Sequence, residues 1–206
     1  MEYAGLDIET SEKVYQPSDD SFLSAEMVMR YLDNSKKERL EVLDVGTGTG
    51  IIGLAAAMSD KVARVVFVDV DGNALGLSRK NFETNRKKIK AVPEFISGDL
   101  LSEIPGNDGF DMIIFNAPYL RNEKEGEDAE HNPWSGGAAG IEISVKFLEQ
   151  SLKHLKKDGV MILNASSLGN LEMLMAAIRK MSLKVVEKKS IHIFFEDILS
   201  LAISKK

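Results

Sequence analysis

The chain has 206 residues, no cysteine and a formal net charge of −6. This length is typical of one domain with a sizeable core. The lack of cysteine excludes disulfides and cysteine-based metal or nucleophile chemistry. The acidic balance disfavours sequence-independent nucleic-acid binding, which depends on basic surfaces. No apolar run approaches the roughly 20 residues that span a bilayer, and the polar N-terminus is not a secretory signal, so we expect a cytoplasmic protein.

Strand-like and helix-like segments alternate from about residue 40 onward, which predicts an α/β fold with a mostly parallel sheet. Capping residues at positions 18–21 precede a predicted helix over residues 22–32. The predicted strands are 41–45, 63–70, 92–96, 110–115, 159–165 and an antiparallel pair at 183–188 and 194–203. The other predicted helices are 51–58, 71–87, 141–155 and 168–181. A long polar loop, 120–140, is typical of a functional lid or a disordered segment.

A glycine-rich turn follows the first of these strands. Residues 43–50 read Leu-Asp-Val-Gly-Thr-Gly-Thr-Gly, with glycines at positions 46, 48 and 50. Alternating glycines allow a sharp turn and the close approach of a ligand. A dinucleotide site favours G-x-G-x-x-G, whereas the third glycine comes one residue early here. This spacing is therefore not typical of a dehydrogenase. A tight strand-to-helix turn that binds no ligand remains an alternative.

Carboxylates end the next two predicted strands. Asp69 lies about 20 residues beyond the glycines, where an acid can accept hydrogen bonds from both ribose hydroxyls. Asp71 is the better candidate for the following helix cap. Asp99, in Gly-Asp-Leu, could accept an adenine amino group while Leu100 packs on the ring, although an ordinary turn residue is an equal alternative.

The fourth motif, Asn116-Ala117-Pro118-Tyr119, directly follows the apolar strand 110–115. An amide, a proline with fixed φ and an aromatic ring at a strand end form a small polar pocket with a flat wall. The Asn116 oxygen and the Ala117 carbonyl can both accept hydrogens from a planar NH2 group, and Tyr119 can stack on that group. Adenine N6, cytosine N4, guanine N2 and glutamine all present such a group, so the four residues do not distinguish these substrates.

Together these motifs resemble a class I S-adenosylmethionine-dependent methyltransferase, and more narrowly the HemK-type glutamine methyltransferases of translation release factors. Two further stretches are similar to that family. Residues 15–23, Tyr-Gln-Pro-Ser-Asp-Asp-Ser-Phe-Leu, match its Tyr-x-Pro-x-x-Asp-Ser/Thr-Phe-Leu segment. Residues 134–140, Trp-Ser-Gly-Gly-Ala-Ala-Gly, match its Trp-x-Gly-Gly-x-x-Gly segment. The resemblance runs from about residue 15 to residue 206.

The resemblance implies a Rossmann-like fold of seven mostly parallel strands, one antiparallel strand and helices on both faces. It implies S-adenosylmethionine as cofactor and no metal. The implied catalytic residues are Asn116, Ala117, Pro118 and Tyr119. The implied cofactor-binding residues are Tyr15, Pro17, Asp20, Ser21, Asp44, Gly46, Gly48, Gly50, Asp69, Val70, Asp99, Leu100 and Asn116.

Domain organisation follows from the same comparison. We expect one methyltransferase domain over residues 1–206, with residues 1–40 as an N-terminal helical cap. The first sheet strand begins near residue 41, which leaves no room for the helical substrate-binding domain of the bacterial members. The resemblance therefore points to the short archaeal and eukaryotic branch.

Ala117 departs from the family's usual Asn-Pro-Pro-Tyr. The first proline of that motif acts through its backbone carbonyl, which alanine also has. The loss is rigidity, of the order of 0.4–1 kcal/mol through the entropy of the unfolded chain. We therefore expect the chemistry to be retained.

The preferred prediction is methylation of a protein glutamine in the Gly-Gly-Gln motif of a release factor. N-methylation of a nucleic-acid base is the alternative, and a non-catalytic binding module is a third. The acidic loop, residues 120–133, is either a solvated segment or a lid that meets the substrate. Short members of the family work with a small zinc-ribbon activator that pairs along a sheet edge. We expect the apolar strand around residues 65–68 to lie near that edge, or else to be an ordinary buried strand.

Overall fold

A seven-stranded sheet in the order β5-β4-β3-β6-β7-β9-β8 dominates the computed structural model, which describes residues 1–106, 109–118 and 141–206. Only β9 runs antiparallel to its neighbours in this sheet. This arrangement confirms the predicted α/β architecture. The strands are β3 (Leu40–Val45), β4 (Val62–Asp69), β5 (Val92–Ser97), β6 (Phe110–Phe115), β7 (Leu155–Ser166), β8 (Leu183–Ile193) and β9 (Glu196–Lys205).

Helices cover both faces of the sheet, as expected. They are α1 (Asp19–Asn34), α2 (Ile51–Ala57), α3 (Gly72–Thr84), α4 (Glu142–His154) and α5 (Leu171–Lys180). Apolar residues of α1 and α2 join one hydrophobic cluster with Phe82 of α3. Apolar residues of α4 and α5 join a second cluster, on the other face. Among the residues the structure describes, no helix has the length and apolar character needed to cross a membrane.

The N-terminal segment differs from the predicted helical cap. The cap is helical only in α1, and residues before it form a hairpin of β1 (Glu2–Tyr3) and β2 (Leu6–Asp7). Asn81 of α3 and Asn85, which caps the C-terminus of α3, hold the end of this hairpin and the residues that follow it. Asn85 bonds the backbone N–H and C=O of Asp7 at 2.9 and 2.8 Å, and Asn81 bonds those of Glu9 at 2.8 and 2.9 Å. These side-chain amides satisfy the backbone groups as a neighbouring strand would.

Strand β4 lies next to the edge strand of the sheet, so it is near the edge but does not form it. Residues 65–68 lie in β4, which pairs with β3 on one side and with β5 on the other. All four are at most 1% exposed, so the run is an ordinary strand buried on both faces. The edge strand is β5, where Val92 is 62% exposed.

Element boundaries differ most from those predicted in β7 and β8. Strand β7 begins at Leu155, directly after α4. Strand β8 continues to Ile193, five residues beyond its predicted end, because it pairs with β9 as far as Glu196. The charged and polar residues from Glu187 to Ser190 conceal this pairing from sequence alone.

Candidate active site

The predicted site residues lie where the central strands end. Val45 pairs with Val68 on one side and with Phe115 on the other. These three residues precede the glycine turn, Asp69 and Asn116. Since the strands are parallel, the three motifs meet at the carboxyl edge of the sheet, where ligands of open α/β sheets bind.

All three loop glycines have left-handed backbone conformations, with φ of 60° at Gly46, 55° at Gly48 and 83° at Gly50. A Cβ at Gly50 would lie 3.0 Å from the Cβ of Ser78. A Cβ at Gly48 would meet only Val14, at 4.0 Å. The turn therefore requires glycine for its conformation, and Gly48 leaves open space above the loop.

Asp44 lies beneath the loop and is 1% exposed. Its Oδ2 accepts hydrogen bonds from Thr47 Oγ1 at 2.6 Å and from Gly53 N at 3.1 Å. Burial raises the pKa of its carboxyl to about 7; the two hydrogen bonds oppose this shift, and the charge of Asp69 adds to it. The Asp44 side chain therefore holds the turn through its bonds to Thr47 and Gly53. Its predicted part in cofactor binding remains a prediction.

Asp69 joins the loop from the end of β4. Its Oδ2 accepts from Gly48 N at 2.9 Å, and its Oδ1 accepts from Asp71 N at 3.0 Å. Burial raises its pKa, while these backbone bonds act in the opposite direction. Backbone groups of Gly48, Val70 and Asp71 act on this carboxylate, and with about four lone-pair sites it can still accept from a ligand hydroxyl. Val70, which follows, is 75% exposed and offers an apolar surface beside the carboxylate.

The Gly-Asp-Leu motif is less directly connected to the loop. Asp99 forms an ion pair with Lys146 of α4 at 2.5 Å, and its side chain is 62% exposed. Leu100 adopts a left-handed φ of 54° and is 8% exposed, in the same hydrophobic cluster as Val45 and Val68. Its predicted packing against an adenine ring remains a prediction.

Asn116 is held at both ends of its side-chain amide. Its Nδ2 donates to Asp20 Oδ2 at 3.1 Å and to Ser21 Oγ at 3.4 Å, and its Oδ1 accepts from Asn164 Nδ2 at 2.8 Å. The Oδ1 atom keeps one lone pair for a further donor. Ala117 is 2% exposed. Pro118, at the end of the described segment, is partly exposed.

Asp20 connects the N-terminal segment to Asn116. Its Oδ1 accepts from Ser18 Oγ at 2.7 Å and from Ser21 N at 2.6 Å, and its Oδ2 accepts from Tyr15 OH at 2.9 Å. Burial raises the pKa of Tyr15 to about 12; a hydrogen bond with Ser18 opposes this shift, and the charge of Asp20 adds to it. Pro17 is partly buried within this turn. The structure thus brings residues 15–21 to Asn116.

Several predicted residues lie outside the described part of the chain. They are Tyr119, residues 120–133 of the acidic loop, and the segment from Trp134 to Gly140. Their predicted functions stay predictions.

Sequence reasoning missed Asn164 of β7, which bonds Asn116. It is 0% exposed in a strand that is otherwise apolar from Val160 to Ala165. A polar side chain at the end of such a run was the available signal, because a buried amide needs specific partners.

Two other kinds of site, metal-ligand groups and cavities, are relevant to the comparison with this one. The described residues contain no group of three or more histidines or acidic residues able to hold a metal ion. A cavity of about 400 Å³ lies at the opposite edge of the sheet and is lined in part by Tyr31, Lys37 and Asp111. Asp111 is near the start of β6, whereas Asn116 follows its end, so this cavity is separate from the candidate site.

Comparisons with known proteins identify the family of the chain. The model of the methyltransferase small domain matches residues 18–194. A protein of Methanocaldococcus jannaschii, provisionally named a protein N5-glutamine methyltransferase, is 30% identical over 201 residues, which cover 97% of this chain and 95% of that protein. The release factor glutamine methyltransferase of Lactococcus lactis is 30% identical over 165 residues, and 77% of this chain matches 58% of that enzyme. The chain thus spans little more than half of this bacterial relative.

Solved structures share the fold at lower sequence identity. The ribosomal protein L11 methylase of Lactobacillus delbrueckii superposes with a TM-score of 0.70 at 21% identity, covering 97% of this chain and 85% of that one. The E. cuniculi Mtq2-Trm112 complex, described as responsible for methylating the termination factor eRF1, gives a TM-score of 0.66 at 22% identity. That match covers 94% of this chain and 99% of the other. At these identities the similarity shows the fold alone.

Proposed function

This chain belongs to the methyltransferase small domain family, and from that premise we propose that it methylates the side-chain nitrogen of a protein glutamine. The proposed target is the glutamine of the Gly-Gly-Gln motif in a translation release factor, and the proposed methyl donor is S-adenosylmethionine. The observation that supports this best is the fixed amide of Asn116, which keeps an open lone pair on Oδ1 beside the Ala117 backbone.

The pocket suits a planar NH2 nucleophile. The lone pair of an amide nitrogen is delocalised, so the nitrogen attacks poorly unless its hydrogens are held. Asn116 Oδ1 and the Ala117 carbonyl would accept these two hydrogens, direct the nitrogen and stabilise the positive charge that develops on it. A strong general base is unnecessary, because the proton becomes acidic only after attack.

The loop and strand ends have the chemistry required for the methyl donor. Gly46, Gly48 and Gly50 allow close approach, with open space above Gly48. Asp69 would accept hydrogen bonds from ribose hydroxyls, and Val70 would cover an apolar ring face. When bound, S-adenosylmethionine supplies an electrophilic methyl group on a positively charged sulfur. The carboxylates around the site favour such a cation.

The choice of protein glutamine rests on the relatives. The M. jannaschii protein matches over nearly its full length, as well as over nearly all of this chain. The bacterial release factor enzymes are longer, and this chain matches 58% of one and 57% of another. Residues 15–21, which belong to the family's segment, bond directly to the pocket in this chain.

We also propose that a small zinc-ribbon activator protein pairs with the exposed edge of β5. The similar fold of Mtq2, solved with Trm112, supports such a partner. An open strand edge offers backbone groups for β-sheet addition.

The test compares this chain alone with the chain co-expressed with the activator. We expect tighter S-adenosylmethionine binding and a higher yield for the pair, and full activity of the isolated chain would overturn this proposal.

The experiment that tests the function transfers labelled methyl groups from S-adenosylmethionine to four acceptors in parallel. These are a release factor, its Gln→Ala variant in the Gly-Gly-Gln motif, tRNA and DNA. We expect label only on the unmodified release factor. Label on nucleic acid with none on protein would overturn the proposal and favour a base methyltransferase.

A further inference from the structure

Asn164 sits in an environment where a polar side chain is costly. It is 0% exposed in β7, and Ile162, two residues earlier on the same face, belongs to the hydrophobic cluster. Burying an amide without partners costs roughly 1–3 kcal/mol. Asn164 meets this requirement fully: its Nδ2 donates to Asp20 O at 2.9 Å and to Asn116 Oδ1 at 2.8 Å, and its Oδ1 accepts from Ser24 Oγ at 2.7 Å.

Its position follows from the sheet register. Phe115 of β6 pairs with Leu163 of β7, so the next residues, Asn116 and Asn164, stand side by side on the face that α1 covers. This pairing is a property of two parallel strands and does not depend on the loop after residue 118. The two amides therefore have a fixed relative placement before any ligand binds.

Asp20 determines which way both amides point. A side-chain amide can present either its oxygen or its NH2 to a neighbour, whereas an ionised carboxylate and a backbone carbonyl only accept. The carboxylate of Asp20 orients the NH2 of Asn116, and the backbone carbonyl of Asp20 orients the NH2 of Asn164. The second hydrogen of the Asn164 NH2 then meets Asn116 Oδ1. A reversed Asn116 amide would instead point its NH2 at this donor and its oxygen at the carboxylate of Asp20.

We propose that Asn164 is a positioning residue that keeps Asn116 Oδ1 oriented to accept a substrate hydrogen. This inference rests on the proposed function of Asn116 as the holder of the substrate NH2 group. Asn164 does not touch the substrate; it acts through Asn116. It places one donor on Oδ1, which leaves the other lone pair for the reaction.

The test replaces Asn164 by leucine, which has a similar volume and no amide. Because a misdirected catalytic group can cost on the order of 100-fold in rate, we expect kcat for release-factor methylation to fall at least 10-fold. The KM for the release factor and the Kd for S-adenosylmethionine should stay within about 3-fold. Ser24→Ala is the matched control, since it leaves both donor bonds of Asn164 in place, and its kcat should change by less than about 3-fold.

A double variant separates positioning from a general structural effect. If Asn164 acts through Asn116, then adding Asn164→Leu to Asn116→Ala lowers kcat no further. Two results would overturn the inference. One is a double variant that is slower than Asn116→Ala by the same factor that Asn164→Leu costs alone, and the other is a kcat for Asn164→Leu within 2-fold of wild type. If Asn164→Leu does not fold, Asn164→Thr takes its place, because its hydroxyl can donate to only one of the two acceptors.

A readout without activity distinguishes this inference from the proposed function. The side-chain amide resonances of Asn116 are identified as those lost in Asn116→Ala. We expect them to be slow in hydrogen exchange in the wild type and fast in Asn164→Leu. Unchanged exchange would overturn the positioning role even if the enzyme methylates glutamine. An inactive wild type with the expected exchange difference would instead count against the proposed function.

Discussion

The two carboxylates of the site, Asp44 and Asp69, differ in their surroundings. Asp44 and Asp69 stand at the ends of neighbouring strands, yet Asp44 is enclosed beneath the loop whereas Asp69 keeps contact with its outer side. Burial raises the pKa of both carboxyls. The charge of Asp69 adds to the shift at Asp44, so a cation bound beside the loop would relieve their repulsion.

Asp44 gives a prediction for the pH dependence of stability. Its pKa rises from 3.8 to about 7 on folding, so the folded protein binds more protons than the unfolded chain between about pH 4 and pH 7. Stability therefore falls as the pH rises through this window and levels off above it. Asp44→Asn removes this titration but retains an acceptor for Thr47 and Gly53. Urea unfolding at pH 5 and at pH 8 should show the variant gaining stability relative to wild type at the higher pH. Parallel pH profiles would contradict this account.

The loop glycines give a second prediction at the residue scale. Gly48→Ala places a side chain at a φ of 55°, although there is room for it. We expect a loss of about 1–2 kcal/mol in the free energy of unfolding from backbone strain alone. Gly76→Ala is the matched control. Gly76 is exposed in the middle of α3, and a Cβ added there would have no atom within 4 Å. That variant should gain about 0.5–1 kcal/mol. Equal effects of the two changes in urea unfolding would refute the strain argument.

At the scale of elements, α3 connects the N-terminal segment to the cofactor loop. Asn81 Nδ2 bonds the carbonyl of Thr49 as well as that of Glu9, both at 2.9 Å. Val14, in the same N-terminal segment, packs with Ala74 and Leu77 of α3. The segment is therefore attached to the helix that supports the turn, and it passes over the turn at Gly48.

Asn85→Ala tests this attachment. The change removes two hydrogen bonds to the N–H and C=O of Asp7, both partly buried, and we expect a loss of about 1–3 kcal/mol in the free energy of unfolding. Hydrogen exchange at the Asp7 amide should become faster in the variant. Asn34→Ala, which removes one exposed bond to Arg30 O at the end of α1, serves as control and should change stability by less than about 0.5 kcal/mol. An unaltered Asp7 exchange rate would show that Asn85 does not hold the segment.

What could be predicted from sequence at this scale depended on local signals. Strand β6 matches its predicted bounds because an apolar run, interrupted only by Asp111, is followed by Asn116 and Pro118. The N-terminal hairpin was missed because its backbone partners, Asn81 and Asn85, lie more than 70 residues away. The same reason applies to Asn164: Asn116 was predictable from its motif, whereas its partner becomes visible only when β6 and β7 are paired.

For the whole molecule, the order of strands determines which surfaces are available. The central position of β3 and β6 brings the loop and Asn116 to one edge of the sheet, and β5 is left open at the side. Sequence alternation predicted the parallel sheet and placed residues 65–68 near that side, where β4 pairs with β5. An apolar run alone does not show which of two neighbouring strands forms the edge. The hairpin after β8 projects beyond the end of β7, and its Phe194 and Phe195 are 89% and 93% exposed.

The central claim is that the amide of Asn116 holds a glutamine NH2 group for methylation. The most direct measurement is tandem mass spectrometry of a release factor after incubation with S-adenosylmethionine and either the wild-type enzyme or Asn116→Ala. We predict one methyl group on the side-chain nitrogen of the Gly-Gly-Gln glutamine with the wild type. With Asn116→Ala, which should still bind the cofactor through the loop, we predict that the rate of this methylation falls by a factor on the order of 100 and leaves a small residual rate. Methylation at another residue, or undiminished glutamine methylation by the variant, would contradict the account.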